Sequence, residues 1–137
     1  MSTISDDELL ARAWRAREGA LCDYSGFAVG AAFEDQEGRI WTGANVENAS
    51  YNLGLCAERV ALYHALTSGA RGFRRVAVVT DAPAPTPPCG ACRQALFEFA
   101  VDAVVLMENR AGERERRDVR DLLPLAFEAS YLQKKRR

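Results

Sequence analysis

Apolar and polar positions along this chain repeat with two periods, one typical of helices and one typical of strands. The sequence SDDE at residues 5–8 is a capping box, and apolar residues follow it at helical spacing. The next apolar stretch alternates larger side chains with small ones, as a strand does. The elements predicted for this half are a helix over 6–21, a strand over 27–33, its hairpin partner over 39–44 and a polar loop over 45–55.

The second half continues to alternate between helix and strand patterns. Four of the five prolines fall in 82–88, which excludes regular structure there. In the helix that follows, Ala91, Ala95, Leu96 and Phe99 share one face. The elements predicted are a helix over 56–66, strands over 75–80 and 103–107, a helix after 88, a charged edge strand ending near 119 and short helical pieces over 121–132. The order α-β-β-α-β-α-β-β-α predicts a central sheet with helices on its faces.

Composition limits the size and the partners of this protein. The 137 residues are expected to form a single domain, 1–137, with residues 130–137 as a mobile basic tail. The 18 basic residues balance 19 acidic ones, so nothing in the charge indicates binding to nucleic acid. No apolar run approaches the roughly 20 residues of a membrane span, and the acidic N-terminus is unlike a signal peptide. A cytoplasmic, reducing location is therefore expected, where thiols bind metal more often than they form disulfides.

Three cysteines and one carboxylate carry the candidate chemistry. Cys89 and Cys92 form a C-x-x-C pair, and Cys56 is followed two residues later by Glu58. Three thiolates can hold Zn²⁺ and leave its fourth position open for water. A glutamate beside that position is a candidate proton carrier.

The surrounding residues are suited to such a site. Cys56 and Cys89 both fall at predicted helix N-termini, where the partial positive charge favours thiolate. Arg59 is placed to hydrogen-bond a ligand sulfur and to offset the excess negative charge, and Arg93 is a weaker candidate for the same role.

Other interpretations of these residues remain open at this point. The cysteines could form a closed zinc knot, a redox C-x-x-C pair or plain buried thiols. His64, the only histidine, lies about 12 Å along its predicted helix and is a poor fourth ligand. Cys22 has no partner at ligand spacing, which favours a core or free thiol.

Five sequence blocks, in order, resemble a known family. C-A-E at 56–58 with P-C-G-A-C at 88–92 matches the three-cysteine form of the zinc nucleobase deaminase signature. The blocks YSGFAVGAA at 24–32, NVENASY at 45–51 and LLPLAF at 122–127 resemble segments of the small homotetrameric zinc-dependent cytidine deaminases. The likeness runs from about residue 6 to residue 132.

The resemblance implies a fold, a reaction and a cofactor. The fold would be a three-layer α/β/α sandwich with a central mixed five-stranded sheet. The reaction would be hydrolytic deamination of cytidine and 2′-deoxycytidine, a step of pyrimidine salvage, with one zinc per chain held by Cys56, Cys89 and Cys92. Glu58 would take a proton from water and deliver it to the ring and to the leaving amino group.

The resemblance also implies substrate-binding residues and a homotetramer. Asn45 and Glu47 would bind the ribose, the Ala57 backbone and the Cys89 region would read the pyrimidine edge, and Phe27 would pack beside the base. Ordinary loop hydrogen bonds and a core aromatic are the local alternatives for Asn45, Glu47 and Phe27. Tyr51 and Phe127 would complete a neighbouring subunit's pocket.

Three alternative functions are weighed against this one. A deaminase of a related aminopyrimidine nucleoside, such as blasticidin S, is disfavoured by the intact Asn45-x-Glu47 pair. A polynucleotide-editing deaminase would need basic grooves and stacking aromatics, which the near-neutral charge does not suggest. A structural zinc module would leave Glu58 without a role.

Overall fold

The middle strand of the sheet is β3 (Phe73–Val79) in the computed structural model, which describes residues 4–132. On one side it pairs antiparallel with β1 (Gly30–Asp35), which pairs antiparallel with β2 (Ile40–Ala44). On the other side it pairs parallel with β4 (Val104–Glu108), and β5 (Arg114–Asp118) adds an antiparallel edge. The sheet therefore has five strands and is mixed, as the resemblance implied, and its strand order is β2-β1-β3-β4-β5.

Helices cover both faces of this sheet. On one face, helix α1 (Asp6–Arg17) packs Leu9, Leu10 and Ala13 against β1, β3 and β4. The opposite face carries the larger core, to which α2 (Ala57–Thr67) and α3 (Gly90–Phe99) contribute buried residues. A short helix α4 (Val119–Leu122) and 3-10 segments at Tyr51–Leu53 and Ala129–Leu132 complete the described chain. The predicted element order and three-layer architecture are confirmed.

Two glycines let the helices approach the sheet closely. A Cβ on Gly30 of β1 would lie 2.1 Å from the carbonyl oxygen of Ala13 in α1, and a Cβ on Gly43 of β2 would lie 2.6 Å from the amide nitrogen of Ala61 in α2. Only a residue without a side chain fits at such distances. The first turns of α2 and the last turn of α1 are thereby held directly against the two strands.

The first helix ends earlier than predicted. It stops at Arg17, with Glu18 as its C-cap, and the chain then turns so that Leu21 pairs with the loop at Val46. The amide of Leu21 donates to Asn45 O at 3.0 Å, and the amide of Glu47 donates to Leu21 O at 2.8 Å. The prediction of helix at 18–21 is wrong because these bridge hydrogen bonds replace helical ones.

Two further boundaries differ from the sequence pattern. The strand predicted from Phe27 begins only at Gly30. The residues before it have no regular structure and are held by the side chain of Asn45. In α3 the buried positions are Cys92 and Leu96, whereas Phe99 is 44% exposed. The buried face of α3 is therefore rotated relative to the predicted one, because Cys92 is directed inward and Phe99 is not.

Two further expectations concern the basic tail and the absence of a membrane-spanning segment. Residues 130–132 lie in the last 3-10 segment, and the rest of the predicted basic tail, 133–137, lies outside the described residues. Within residues 4–132, no helix has the length and apolar character needed to cross a membrane.

Candidate metal centre and active site

Two helix N-termini bring the three cysteines together. Cys56 is the N-cap of α2 and Cys89 is the N-cap of α3, and their Sγ atoms are 3.7 Å apart. Cys92 follows one turn into α3, on the same side as Cys89, and all three Sγ atoms lie within 4.8 Å of one another. The C-x-x-C spacing and the distant lone cysteine therefore form a single cluster.

The geometry of the cluster suits zinc. Tetrahedral zinc with Zn–S bonds of about 2.3 Å separates its sulfurs by roughly 3.8 Å. The distance of 3.7 Å between Cys56 and Cys89 matches this value, and the sulfurs are free thiols rather than disulfides. Three soft ligands with no fourth cysteine nearby, Cys22 being half-buried elsewhere, are typical of an open rather than a closed site.

Hydrogen bonds within the cluster shift the pKa values of two cysteines in opposite directions. A hydrogen bond from Cys92 lowers the pKa of Cys56 to about 5, against the opposing effect of burial and with further help from Arg59 and Cys89. The same hydrogen bond, together with burial and the charge of Glu58, raises the pKa of Cys92. Cys56 is therefore the sulfur that most readily carries the negative charge a dication binds.

Arg59 compensates the negative charge of the cluster. Its Nη2 donates to Cys56 Sγ at 3.4 Å. Burial alone would lower the pKa of Arg59, but the bonds to Cys56 and Cys92 outweigh burial and raise it. Among the described residues, the buried Nε of Arg59 has no hydrogen-bond partner.

Arg93 hydrogen-bonds main-chain carbonyl groups rather than a ligand sulfur. Its Nε donates to Pro88 O at 2.8 Å and its Nη1 to Leu122 O at 3.0 Å. It therefore fastens the chain before Cys89 to the end of α4, and the idea that it serves the ligand sulfurs is wrong.

Glu58 lies in the first turn of α2 at the edge of a cavity of about 250 Å³. Glu58 is only 5% exposed to solvent. Burial, followed by the charge on Cys56, raises the pKa of Glu58 to about 7. A carboxyl group with such a pKa can both accept and donate a proton near neutral pH. The residues lining the cavity are Phe27, Val29, Asn45, Glu47, Cys56, Glu58, Val78, Thr86, Pro87 and Cys89.

The structure brings Asn45, Glu47 and Phe27 to this cavity. The Asn45 side chain donates to Phe27 O at 2.9 Å and accepts from the amide of Val29 at 2.8 Å, so it fixes the chain beside Phe27. The Glu47 carboxylate accepts from the amide and the hydroxyl of Ser25. Ala57 is fully buried between Cys56 and Glu58. Both Asn45 and Glu47 thus already hold the wall on which Phe27 lies.

Tyr51 and Phe127 are not brought to the cavity by this chain. Tyr51 is 78% exposed and lines a separate cavity of about 340 Å³, which also includes Tyr24 and Glu47. Phe127 is 57% exposed and stacks on Tyr131 with ring centroids 5.9 Å apart. Glu47 lines both cavities, so the exposed Tyr51 lies on the surface next to the site.

Sequence reasoning missed part of the cavity wall. Val78, at the end of β3, and Thr86 and Pro87, in the proline-rich loop, also line the cavity. The position of Pro87 directly before Pro88 and Cys89 was an available signal, since the residues that precede a metal ligand lie close to the metal. His64 is exposed and meets Trp41 edge-on at 5.3 Å, away from the cluster, as expected.

Comparisons with known proteins agree with this geometry. Residues 3–108 match the family model described as the cytidine and deoxycytidylate deaminase zinc-binding region. A cytidine deaminase of Halalkalibacterium halodurans is 48% identical over 122 residues, 88% of this chain and 92% of that protein. A cytidine deaminase of Sporosarcina psychrophila is 43% identical over 122 residues, 88% of this chain and 90% of that protein.

A solved structure extends the agreement to the fold. The crystal structure of cytidine deaminase from Burkholderia pseudomallei matches with a TM-score of 0.88 at 43% identity, covering 90% of this chain and 100% of that one. The family model spans most of the chain, including the three cysteines and Glu58. This chain therefore belongs to the cytidine and deoxycytidylate deaminase family.

Proposed function

We propose that this protein deaminates cytidine and 2′-deoxycytidine, giving uridine and 2′-deoxyuridine with release of ammonia. The observation that best supports this proposal is the composition of one cavity. Glu58 lines it beside Cys56 of the cysteine cluster, and Asn45 and Glu47 line it as well. Phe27 and Cys89 line the same cavity, so the groups proposed to bind the base, the sugar and the zinc face one space.

Cys56, Cys89 and Cys92 would hold one zinc ion per chain. When bound, zinc supplies the Lewis acidity that makes water nucleophilic at neutral pH. The chain contributes the low pKa of Cys56 and the adjacent guanidinium of Arg59, which favour the negative charge on the Cys56 sulfur that a dication requires.

Glu58 would move the protons. It accepts one proton from the attacking water as the water oxygen bonds to C4 of the pyrimidine, and it delivers that proton to N3. It then carries the second proton of the water to the C4 amino group, the C4–N bond breaks, and ammonia leaves. Its raised pKa of about 7, caused first by burial, suits a group that must accept and donate in one cycle.

The opposite side of the cavity would bind the nucleoside. Asn45 and Glu47 offer an amide and a carboxylate to ribose hydroxyls. Phe27 would pack beside the base, and the backbone at Ala57 and around Cys89 would read the pyrimidine edge. In support, Asn45 and Glu47 are fixed by hydrogen bonds to the segment that carries Phe27.

A homotetramer would complete each site. Tyr51 and Phe127 are exposed in the single chain, and exposed aromatic groups of this kind are typical of subunit contacts. We infer that each subunit lends these two residues to a neighbour's pocket.

The free thiols also favour a reducing compartment, and we place the enzyme in the cytoplasm as a pyrimidine salvage enzyme.

An ultraviolet deamination assay tests the substrate assignment. Cytidine and 2′-deoxycytidine should both react with the zinc-loaded protein, whereas blasticidin S and a cytosine-containing oligonucleotide should react far more slowly. Turnover of either alternative substrate with inert cytidine would contradict the proposal. Binding of zinc without any deamination would instead favour a structural module.

A further inference from the structure

Arg17, at the end of α1, joins two segments that wall the cavity. Its Nε donates to Ala28 O at 2.9 Å, and its Nη2 lies 2.9 Å from a carboxylate oxygen of Asp81. Ala28 stands between Phe27 and Val29, which line the cavity, and Asp81 begins the proline-rich loop that leads to Thr86 and Pro87 on its other side. Arg17 itself does not line the cavity.

The packing of α1 places this side chain. Arg17 is the last residue of the helix, and a Cβ on Gly30 would lie 2.8 Å from the Cβ of Arg17. The helix end therefore rests on the start of β1, immediately after the Phe27–Val29 stretch. Trp14, one turn earlier, lies with its ring 5.6 Å from the Arg17 guanidinium carbon and limits its movement.

We propose that Arg17 is a positioning residue for the nucleoside pocket: it fixes the Phe27 wall and the proline-rich wall relative to each other. This inference rests on the proposed function. It assigns to Arg17 a role in substrate binding, exerted through the main chain at Ala28 and the carboxylate of Asp81 rather than by contact with substrate.

The two bonds of Arg17 differ in strength. Asp81 is 53% exposed, so its ion pair with Arg17 is screened and contributes little by itself. The Arg17 side chain is only 16% exposed, and its charged hydrogen bond to a main-chain carbonyl is the stronger contact. The planar guanidinium makes both contacts at a fixed angle, which the single ammonium of a lysine does not reproduce.

The expected effect is on binding rather than on chemistry. Glu58 and the cysteines are carried by the starts of α2 and α3, on the face of the sheet opposite α1, so the reacting groups keep their places. Loosening the two walls should misplace the base and the sugar. We expect Arg17→Met to raise KM for cytidine roughly tenfold, while kcat changes less than about threefold.

The experiment uses zinc-loaded, full-length protein. Arg17→Met removes both contacts, and Asp81→Asn removes only the charge of the ion pair. Arg12→Met is the matched control, because Arg12 lies on the same helix and pairs with Glu8 on the surface. KM and kcat for cytidine, the dissociation constant of uridine by calorimetry and zinc content are measured for each protein and for the Arg17→Met/Asp81→Asn double variant.

The outcomes separate this inference from the proposed function. We expect KM and the uridine dissociation constant to rise together in Arg17→Met. Both should rise by about two- to threefold in Asp81→Asn. Adding Asp81→Asn to Arg17→Met should change neither value further. A wild-type protein inert toward cytidine would overturn the proposed function. An active wild type with KM unchanged in Arg17→Met, or in Asp81→Asn if Arg17→Met does not fold, would overturn the role of Arg17.

Discussion

Arg59 Nη2 lies 3.4 Å from Cys56 Sγ, within the first turn of the helix that Cys56 caps. The residue that supplies a metal ligand and the residue that balances its charge are thus three positions apart on one helix. Their relative placement is set by helical geometry, and it does not depend on the assembly of distant segments.

Replacing Arg59 with Gln should therefore weaken the metal site without removing it. We expect zinc affinity or cytidine turnover to fall by roughly 10- to 100-fold, because the sulfurs lose the cation that offsets their charge. Competition with a chelator and initial rates measure the two effects. Arg120→Gln is the control, since Arg120 makes a surface ion pair with Asp102. Equal zinc affinity and rate in Arg59→Gln would show that the contact has no role.

The cysteine cluster predicts one zinc per chain, which Cys89→Ala should abolish. Removal of one of three thiolates leaves two ligands, too few for a stable zinc site. Elemental analysis of the purified protein measures the content. Cys22→Ala is the matched control, because Cys22 is free and lies outside the cluster. A wild-type protein without zinc, or a Cys89→Ala variant with full content, would disprove the assignment.

Phe127 allows a test of the shared pocket by complementation. A Phe127→Ala subunit keeps its own Glu58 but should fail to complete a neighbour's site. A Glu58→Gln subunit lacks the proton carrier but should still supply Phe127 to a neighbour. Denatured and refolded together with zinc, the two variants should form mixed oligomers that regain part of the activity. Phe99→Ala, which removes another exposed aromatic, is the control. A monomer by native mass spectrometry would contradict the homotetramer, and full activity of Phe127→Ala alone would contradict the shared pocket.

Asp35 predicts a pH dependence of stability outside the active site. It is buried at the β1–β2 turn, where its carboxylate accepts from Trp41 Nε1, Arg39 Nε and the amides of Glu37 and Arg39 at 2.9 Å each. Burial alone would raise the pKa of Asp35, but these hydrogen bonds outweigh it, so the pKa lies below its usual range.

The sign of the effect follows from that shift. A carboxylate with a depressed pKa stabilises the fold fully above its unfolded pKa of about 3.9, and this contribution is lost as the pH falls toward the folded-state pKa. Asp35→Asn should lower the free energy of unfolding at pH 7 by about 1–3 kcal/mol and flatten its decline below about pH 5. Denaturant unfolding followed by tryptophan fluorescence measures both. The control is the exposed Asp102→Asn, and an Asp35→Asn profile parallel to wild type would contradict the account.

The sequence was sufficient for the element order and for the cysteine cluster beside Glu58. Element order follows from hydrophobic periodicity, and the C-x-x-C pair and the C-x-E triplet are local patterns whose helical placement fixes their geometry. The boundary of α1 was not predictable, because Leu21 leaves the helical pattern for hydrogen bonds with Asn45 and Glu47, which are distant in sequence.

The cavity wall was also beyond local reasoning. Val78 and Thr86 reach the cavity only because β3 ends beside the proline-rich loop, which depends on the folded sheet. The link from Arg17 to Ala28 and Asp81 likewise joins three separate segments, and no periodicity in the sequence signals it.

The most direct test of the central claim is the rate of cytidine deamination by Glu58→Gln at full zinc occupancy. Gln keeps the size of the side chain and removes its ability to accept a proton. We expect one zinc per chain and a loss of at least about 10³-fold in kcat, whereas Glu98→Gln, an exposed change on α3, should leave kcat unaffected. A zinc-loaded Glu58→Gln protein that deaminates cytidine at the wild-type rate would contradict it.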